Sequence, residues 1–463
     1  MPSPHASVWW ATLPSPPPSR PALPGDLDVD VAIVGGGFTG LWTAIGLLRG
    51  DPSLRVAVLE ATVAGAGASG RNGGWASALY PLSFTRAARV YGEDAMRRLR
   101  SALRAGVVDL GADGTAEGVD FDFHRGGTVT LARTPLQTSR LIAEIGEDHA
   151  LGDTDEDVTW LDAVAAQERV GATGVLGAMY TPHCAAVHPA KLVTGLALAA
   201  ERRGATIYEG SPVTSIEPGD RWQRARAVTD HGTVRADVVV RATEGFTTSF
   251  ADARRSIVPL YSLVISTEPL GGAFFDRVGL AERETFNDAR HLLIYGQRTA
   301  DDRLVFGGRG APYHFGSRVD PSFDSVPGVF DKLAEALGEL FGELPAGISH
   351  RWGGPVAMPR DQSPYVRLDR ARGVAAAGGY VGDGVVLSRI AALSMADVIL
   401  GVDSEYASLP FVGHLGRNWE PEPLRWVGIN VGIMAAQLAD HREAQTGRRS
   451  MAAAVLKRIQ GDH

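Results

Sequence analysis

Cysteine and lysine are nearly missing from this sequence. The single cysteine, Cys184, excludes an intrachain disulfide and a cysteine-cluster metal site, fits a reducing compartment, and reads as an inert core thiol. No metal site is expected. Only three lysines occur, Lys191, Lys332 and Lys457, and the net charge is −8, so the uniform cationic surface that nucleic-acid binding relies on is lacking. No nucleic-acid partner is expected. No run approaches the roughly 18 uninterrupted apolar residues of a membrane span. The N-terminal stretch MPSPHASVWWATLPSPPPSRPALPGD has neither a basic region followed by an apolar one nor a small-residue cleavage site. A cytoplasmic protein without a transmembrane segment is the expectation.

Apolar residues make up 44 % of the chain and charged ones 21 %, an ordinary balance for a globular protein, and 463 residues are too many for one simple core. Two domains, or one large discontinuous unit, follow. Residues 11–24 hold six prolines and read as an extended lead segment on the surface, part of a lead over residues 1–27. From Asp28, DVDVAIVGGGFTGLWTAIGLLRG reads as a buried strand, a glycine turn and a helix, and RVAVLEA as a second buried strand. This is a βαβ unit.

Between Phe84 and Leu110, Val90, Tyr91, Met96, Leu99, Leu103, Val107 and Leu110 recur at three- and four-residue spacings, which predicts one long amphipathic helix crossing between domains. HPAKLVTGLALAAERRGATIYEGSPVTSI repeats the helix-then-strand rhythm, with Gly204 at a C-cap position, and VRADVVVRATEG adds a strand that stops in a turn. Residues 255–350 change to alternating strands such as PLYSLVIST and RLVFGGR, which predicts a second, antiparallel sheet. GVAAAGGYVGDGVVLSRIAALSMADVIL then returns to strand, glycine turn and helix. The first domain is therefore interrupted in sequence: residues 28–110, about 165–254 and 351–405, with about 111–164 and 255–350 forming the second. A helical stretch from Pro423 to Ile459, in a tail over 406–463, carries Trp426, Val427, Ile429, Val431, Ile433 and Leu438 and is expected to pack back on the body.

Gly35, Gly37 and Gly40 form GxGxxG between a strand and a helix, and Glu60 ends the next strand twenty residues past Gly40. Gly35 allows the tight turn, Gly37 lets backbone approach a pyrophosphate, and Gly40 lets helix and strand pack closely. Glu60 would accept the ribose hydroxyls, and its charge repels a 2′-phosphate. The ligand is then FAD or NAD. A second glycine-rich loop, GAGASGRNGGW from Gly65 to Trp75, begins five residues after Glu60, where the chain can fold over the far half of a cofactor. NAD has no need of it. A third cluster, GGYVGDGVV, opens a helix whose N-terminus would stabilise negative charge on a reduced flavin.

These motifs, VAIVGGGFTGLWTA, ASGRNGG, HPAKLVTGLA, RATEGFT, RWGGPVAMPRDQSPYV and GGYVGDGVVLSRIAA, stand in family order from Asp28 to about Leu400. The chain resembles the D-amino-acid oxidase superfamily of FAD-dependent oxidoreductases, the glycine, sarcosine and D-amino-acid oxidase group, and within it the γ-glutamylputrescine oxidase branch. The resemblance implies an α/β protein, α+β overall: a discontinuous Rossmann-like FAD-binding domain with an antiparallel β-sheet substrate domain roofing the flavin. It assigns Gly35, Gly37, Gly40 and Glu60 to the adenosine diphosphate half of FAD, and Ser69, Gly70, Arg71, Asn72, Gly73 and Gly74 to the loop near pyrophosphate and ring. Val213 maps to a backbone contact with adenine, Ala242 and Thr243 to the turn beside the cofactor, and Gly382 and Gly384 to the helix start at the flavin's pyrimidine end. Arg71 and Asn72 are expected to face phosphate or ring.

Such enzymes oxidise a C–N bond of an amine by hydride transfer to flavin N5, giving an imine that water hydrolyses, with molecular oxygen or another electron acceptor reoxidising the flavin. No catalytic base is required. The arginine that clamps an α-amino-acid carboxylate in relatives is replaced near Pro355, which favours a polyamine derivative or an N-substituted amino acid over a D-amino acid. No lysine lies in the region where sarcosine oxidase uses one, and Cys184 sits away from that relative's covalent attachment point, so FAD is expected to be non-covalent. The substrate pocket is expected to draw on Tyr261, His291, Tyr295, Arg309, His350 and Trp352, with Arg360 a further candidate; Trp75 reads equally as core. A D-amino-acid dehydrogenase or oxidase, an FAD-dependent monooxygenase and a non-catalytic flavoprotein are the alternatives. Monooxygenases carry G-D-A-A-H where this chain has GDGVV.

Overall fold

The computed structural model describes residues 7–453. A six-stranded sheet runs in the order Tyr365–Asp369, Val374–Gly378, Val238–Arg241, Val31–Val34, Val56–Leu59 and Thr206–Tyr208. Every pair is parallel except the edge pair of Tyr365–Asp369 with Val374–Gly378. VAIV and VAVL are buried along their whole length, as strands covered on both faces must be. Leu41 and Ile45 of the helix Phe38–Gly50, Leu196 of Pro189–Arg202 and Ile390 of Gly384–Leu400 share one core with Ile33 and Val58. Gly46 permits a close helix approach, since a Cβ there would stand 2.9 Å from Ala396 Cβ. A smaller sheet sets Leu27–Asp28 beside a meander of Val213–Glu217, Ala225–Thr229 and Gly232–Ala236.

The second large sheet has eight strands, ordered Ile348–Pro359, Ile257–Thr267, Leu304–Gly308, Ile294–Arg298, Thr285–Asp288, Thr128–Ala132, Gly177–Thr181 and Thr159–Asp162. All neighbours are antiparallel except Thr285–Asp288 beside Thr128–Ala132. Leu263, Ile265, Phe286 and Phe306 bury one face against Phe330, Leu337 and Phe341 of the helix Pro327–Phe341. Gly177–Thr181 and Ile348–Pro359 belong to this sheet, although sequence rhythm puts both in the first domain. A long ladder decides the second: Ile348–Pro359 pairs with Ile257–Thr267 from Thr267↔Ile348 to Ile257↔Pro359.

Three further expectations change. The helix predicted from Phe84 to Leu110 is two helices, Phe84–Tyr91 and Glu93–Ala116, parted at Gly92, whose φ of 86° a continuous helix cannot hold. The C-terminal helix is Leu424–Thr446, and Ile459 lies outside the described residues. Its Trp426, Val427, Val431 and Leu438 are exposed rather than packed. The body is met instead by Gly432, Ala436 and Ala439, whose small size allows close approach, and by Arg425 and Glu443, each ion-paired. Finally, while residues 11–24 are largely exposed, the turn Val8–Ala11 just before them is buried at Val8, Trp9 and Trp10.

Candidate cofactor and substrate site

The glycine turn lies at the C-terminal ends of the parallel strands. Gly35 has φ 109°, and a Cβ there would stand 2.5 Å from the Ala242 carbonyl oxygen; at Gly40 it would stand 2.0 Å from the Gly35 oxygen. Ala242 and Thr243 therefore line the turn directly. Gly37 precedes the helix Phe38–Gly50 and carries no side chain to cap it. Glu60 accepts from the Gly36 N–H at 2.8 Å through one oxygen and from the Thr62 N–H at 3.0 Å through the other. Burial pushes its carboxyl up, against those N–H bonds. The Ser211 N–H donates to the Glu60 carbonyl at 2.8 Å, and Val213 opens its strand two residues on.

The second glycine loop folds back on this turn, since the Ser69 hydroxyl accepts from the Phe38 N–H at 2.8 Å and would lie 2.8 Å from a Cβ on Gly37. Gly70 ends a short helical turn, Ala68–Gly70. The side chains of Arg71 and Asn72, expected to face phosphate or ring, are engaged by protein partners. Arg71 Nη1 is 2.7 Å from Asp324 and donates to the Gly353 oxygen at 2.9 Å, so it anchors the loop to the second sheet. Asn72 donates to the Ala68 and Ser69 carbonyls and accepts from the Gly74 N–H, which staples the loop to itself. Local hydrogen bonding wins because an amide two residues from a glycine closes such a turn without strain. Gly73 lies under Tyr295, and Gly74, at φ 76°, lies against Gln297. Gln297, fully buried in a strand, donates to the Gly73 oxygen at 2.7 Å. Sequence reading missed it; in the strand Ile294–Arg298, which also carries Arg298, nothing local marks it.

At the third cluster, Gly382 has φ 104° and Gly384 begins the helix Gly384–Leu400. Asp383 stands between them, its carboxyl pushed up to about 6 by burial despite Arg309 nearby. Arg309 Nη2 donates to the Val381 oxygen at 2.5 Å. Glu244, also missed, accepts from the Gly379 N–H at 2.9 Å, and burial pushes its carboxyl up to about 7. Its left-handed φ of 40° in RATEGFT aims it there.

Beside this turn a small cavity of about 10 Å³ is lined by Leu260, Tyr261, Ser262, Arg309, Val356, Met358 and Val381. Arg309 is its one charged side chain. Of the other sequence candidates, Tyr295 adjoins it, with its hydroxyl 2.9 Å from Ser262 Oγ and its ring edge-on to Trp75. Trp352 lies behind the glycine loop, donating to the Arg71 oxygen at 2.8 Å. Arg360 is not in the cavity: it pairs with Glu420 at 3.0 Å and lies over Trp419. His291 bonds Glu443 and Asp440 of the C-terminal helix, and His350 bonds Ser349 away from the glycine loops. Each of these three has a protein partner, and none lines the cavity.

The helix start opened by Gly37, the glycine cradle that Cβ atoms would fill, and Glu60 beside it fit an adenosine diphosphate group. Across residues 30–398 the chain matches the family described as FAD dependent oxidoreductase. The chain belongs to the FAD dependent oxidoreductase family. This FAD dependent oxidoreductase is 30 % identical to a gamma-glutamylputrescine oxidoreductase of Escherichia coli (strain K12), over 88 % of this chain and 92 % of that one. It is 29 % identical to a probable oxidoreductase OrdL of Rhizobium meliloti (strain 1021), over 87 % and 90 %. The crystal structure of glycine oxidase from Geobacillus kaustophilus superposes with a TM-score of 0.69 at 24 % identity, over 84 % of this chain and all of that one. The protein is thus an FAD-dependent oxidoreductase, with the mixed α/β fold of that glycine oxidase. Its one thiol, Cys184, is buried in the pair Trp75–Ser77 with Cys184–Ala186 and pushed up to about 11. That environment disfavours the thiolate a covalent flavin link would need. No helix among the described residues is long and apolar enough to cross a membrane.

Proposed function

We propose that this enzyme oxidises the C–N bond of a primary or secondary amine that also carries a carboxylate, either a polyamine derivative or an N-substituted amino acid. The observation carrying this reading is Arg309, the single charged side chain lining that small cavity, among Leu260, Val356, Met358 and Val381. A guanidinium in an apolar wall recognises a carboxylate and leaves the amine end among hydrocarbon and tyrosine. By the family resemblance Pro355 falls near the place where relatives that clamp an α-carboxylate have arginine, which argues for an acidic group farther from the reacting carbon. The name of the Escherichia coli relative supports a substrate of that kind.

Bound FAD supplies the hydride acceptor at N5, and the imine left behind is hydrolysed by water. The chain's own part is placement. Gly35, Gly37, Gly40 and Glu60 hold the adenosine diphosphate end, and residues 69–74 the ring side. The start of Gly384–Leu400 offers N–H groups to the negative end of the reduced ring, and Arg309 orients the substrate. Oxygen or another acceptor removes the electrons. The test is to purify the protein with FAD and mix it anaerobically with amines that do or do not carry a carboxylate. Bleaching by carboxylate-bearing amines supports the reading, and peroxide in air marks an oxidase. Bleaching by NADPH but by no amine sinks it.

A further inference from the structure

We infer that Trp9, carried by the N-terminal turn Val8–Ala11, is a positioning residue of the cofactor site that fixes the peptide between Asn72 and Gly73. The inference rests on the reading that residues 69–74 lie along the flavin. The turn precedes the family match, which begins at residue 30. Trp9 is 2 % exposed, and its indole Nε1–H donates to the Asn72 oxygen at 2.8 Å. Trp352, 1 % exposed, donates in the same way to the Arg71 oxygen at 2.8 Å. Both indoles lie in one cluster with Val8, Trp10, Ala190, Val264 and Val305. Two successive carbonyls of the loop are therefore held by tryptophans from opposite ends of the chain.

In a trans peptide the N–H points away from the carbonyl. Fixing the Arg71 and Asn72 oxygens on the indoles turns the Asn72 and Gly73 N–H groups away from them. Among the described residues neither N–H donates a hydrogen bond, and the Asn72 side chain is spent on Ala68, Ser69 and Gly74. Two adjacent, oriented donors suit an acceptor-rich ring edge.

Orientation at this point needs enforcement, because Gly73 has no Cβ to resist a flip of the preceding peptide. An indole supplies it, being a donor with no acceptor. A flipped peptide would aim its N–H at the Trp9 N–H, leaving two buried donors unpaired. Phenylalanine would keep an aromatic ring there, smaller than the indole, and impose no such choice.

The experiment compares Trp9→Phe and Val8→Ala with the wild-type holoenzyme, reading the visible flavin spectrum, the midpoint potential, FAD affinity and thermal unfolding. Trp9→Phe should shift the flavin spectrum and potential, hold FAD about fivefold less tightly, and lower kcat with KM little changed. Val8→Ala should lower the unfolding temperature and leave the spectrum alone. A Trp9→Phe protein with wild-type spectrum, potential and FAD affinity overturns the inference. So does an equal spectral shift in Val8→Ala, since packing rather than the N–H would then set the loop. Wild-type protein without FAD would overturn this inference and the proposed function together, and it is told apart by appearing before any variant is made.

Discussion

The Arg71 guanidinium lies 2.7 Å from the Asp324 carboxylate, tying the glycine loop to the turn Pro321–Asp324 on the second sheet. The Arg71 side chain is 3 % exposed and that of Asp324 16 %, so the pair is largely out of water. Removing one partner strands the other charge, at a cost of about 3 kcal/mol. Arg71→Ala should accordingly lower stability by that order in chemical denaturation and release FAD during gel filtration. Full retention of FAD with unchanged stability would show that the loop is held without this pair.

Gly37 has φ −89°, which any residue adopts, so a substitution there is judged by space alone. An added Cβ would stand 2.8 Å from Ser69 Oγ, which now accepts the Phe38 N–H. Gly37→Ala is expected to push Ser69 aside and weaken FAD binding about tenfold, the equivalent of roughly 1.4 kcal/mol, while the apoprotein still folds. Titration of apoprotein with FAD, followed by flavin fluorescence, measures this.

Arg309 and Arg360 separate in one steady-state comparison. Arg309→Gln removes the charge in the cavity and should raise KM for a carboxylate-bearing amine by about 10- to 100-fold, with a smaller effect on the same amine lacking the carboxylate. Arg360→Ala loses only the contacts with Glu420 and Trp419, so KM should stay at the wild-type value. A raised KM in Arg360→Ala alone would reverse the assignment.

Glu244 makes stability depend on pH. Burial pushes its carboxyl up to about 7, from an ordinary value near 4.3 in the unfolded chain. The folded protein then binds a proton that the unfolded chain has released, so this contribution is complete below about pH 4.3 and is lost as pH rises through about 7. Asp383, pushed up to about 6, acts with the same sign. Between about pH 4.5 and 8 the unfolding temperature of wild type should therefore fall relative to Glu244→Gln. Parallel curves would mean that Glu244 is ionised in the fold throughout.

The readable parts of the site were those whose chemistry is local. GxGxxG with Glu60 lies within a single βαβ unit, where spacing along the chain is spacing in the fold, and the three glycine clusters carry their own turn geometry. Side-chain direction was not readable. Arg71 points to Asp324 and Gly353, partners more than 250 residues away, and Arg360 found Glu420. Glu244 and Gln297 went unnoticed because only the neighbours that bury them make a carboxylate and an amide unusual.

The sequence by itself determined that the protein carries a nucleotide-binding parallel sheet interrupted by a second sheet, because buried strands, glycine turns and helix starts are written in adjacent residues. Tertiary structure alone decided what holds the cofactor loop. Its carbonyls, its arginine and its glycines meet Trp9, Trp352, Asp324 and Gln297, which no local pattern links to it. Hydrogen-bond partners of a bare backbone are chosen by what the rest of the fold brings within 3 Å, and that is settled only when the two sheets pack.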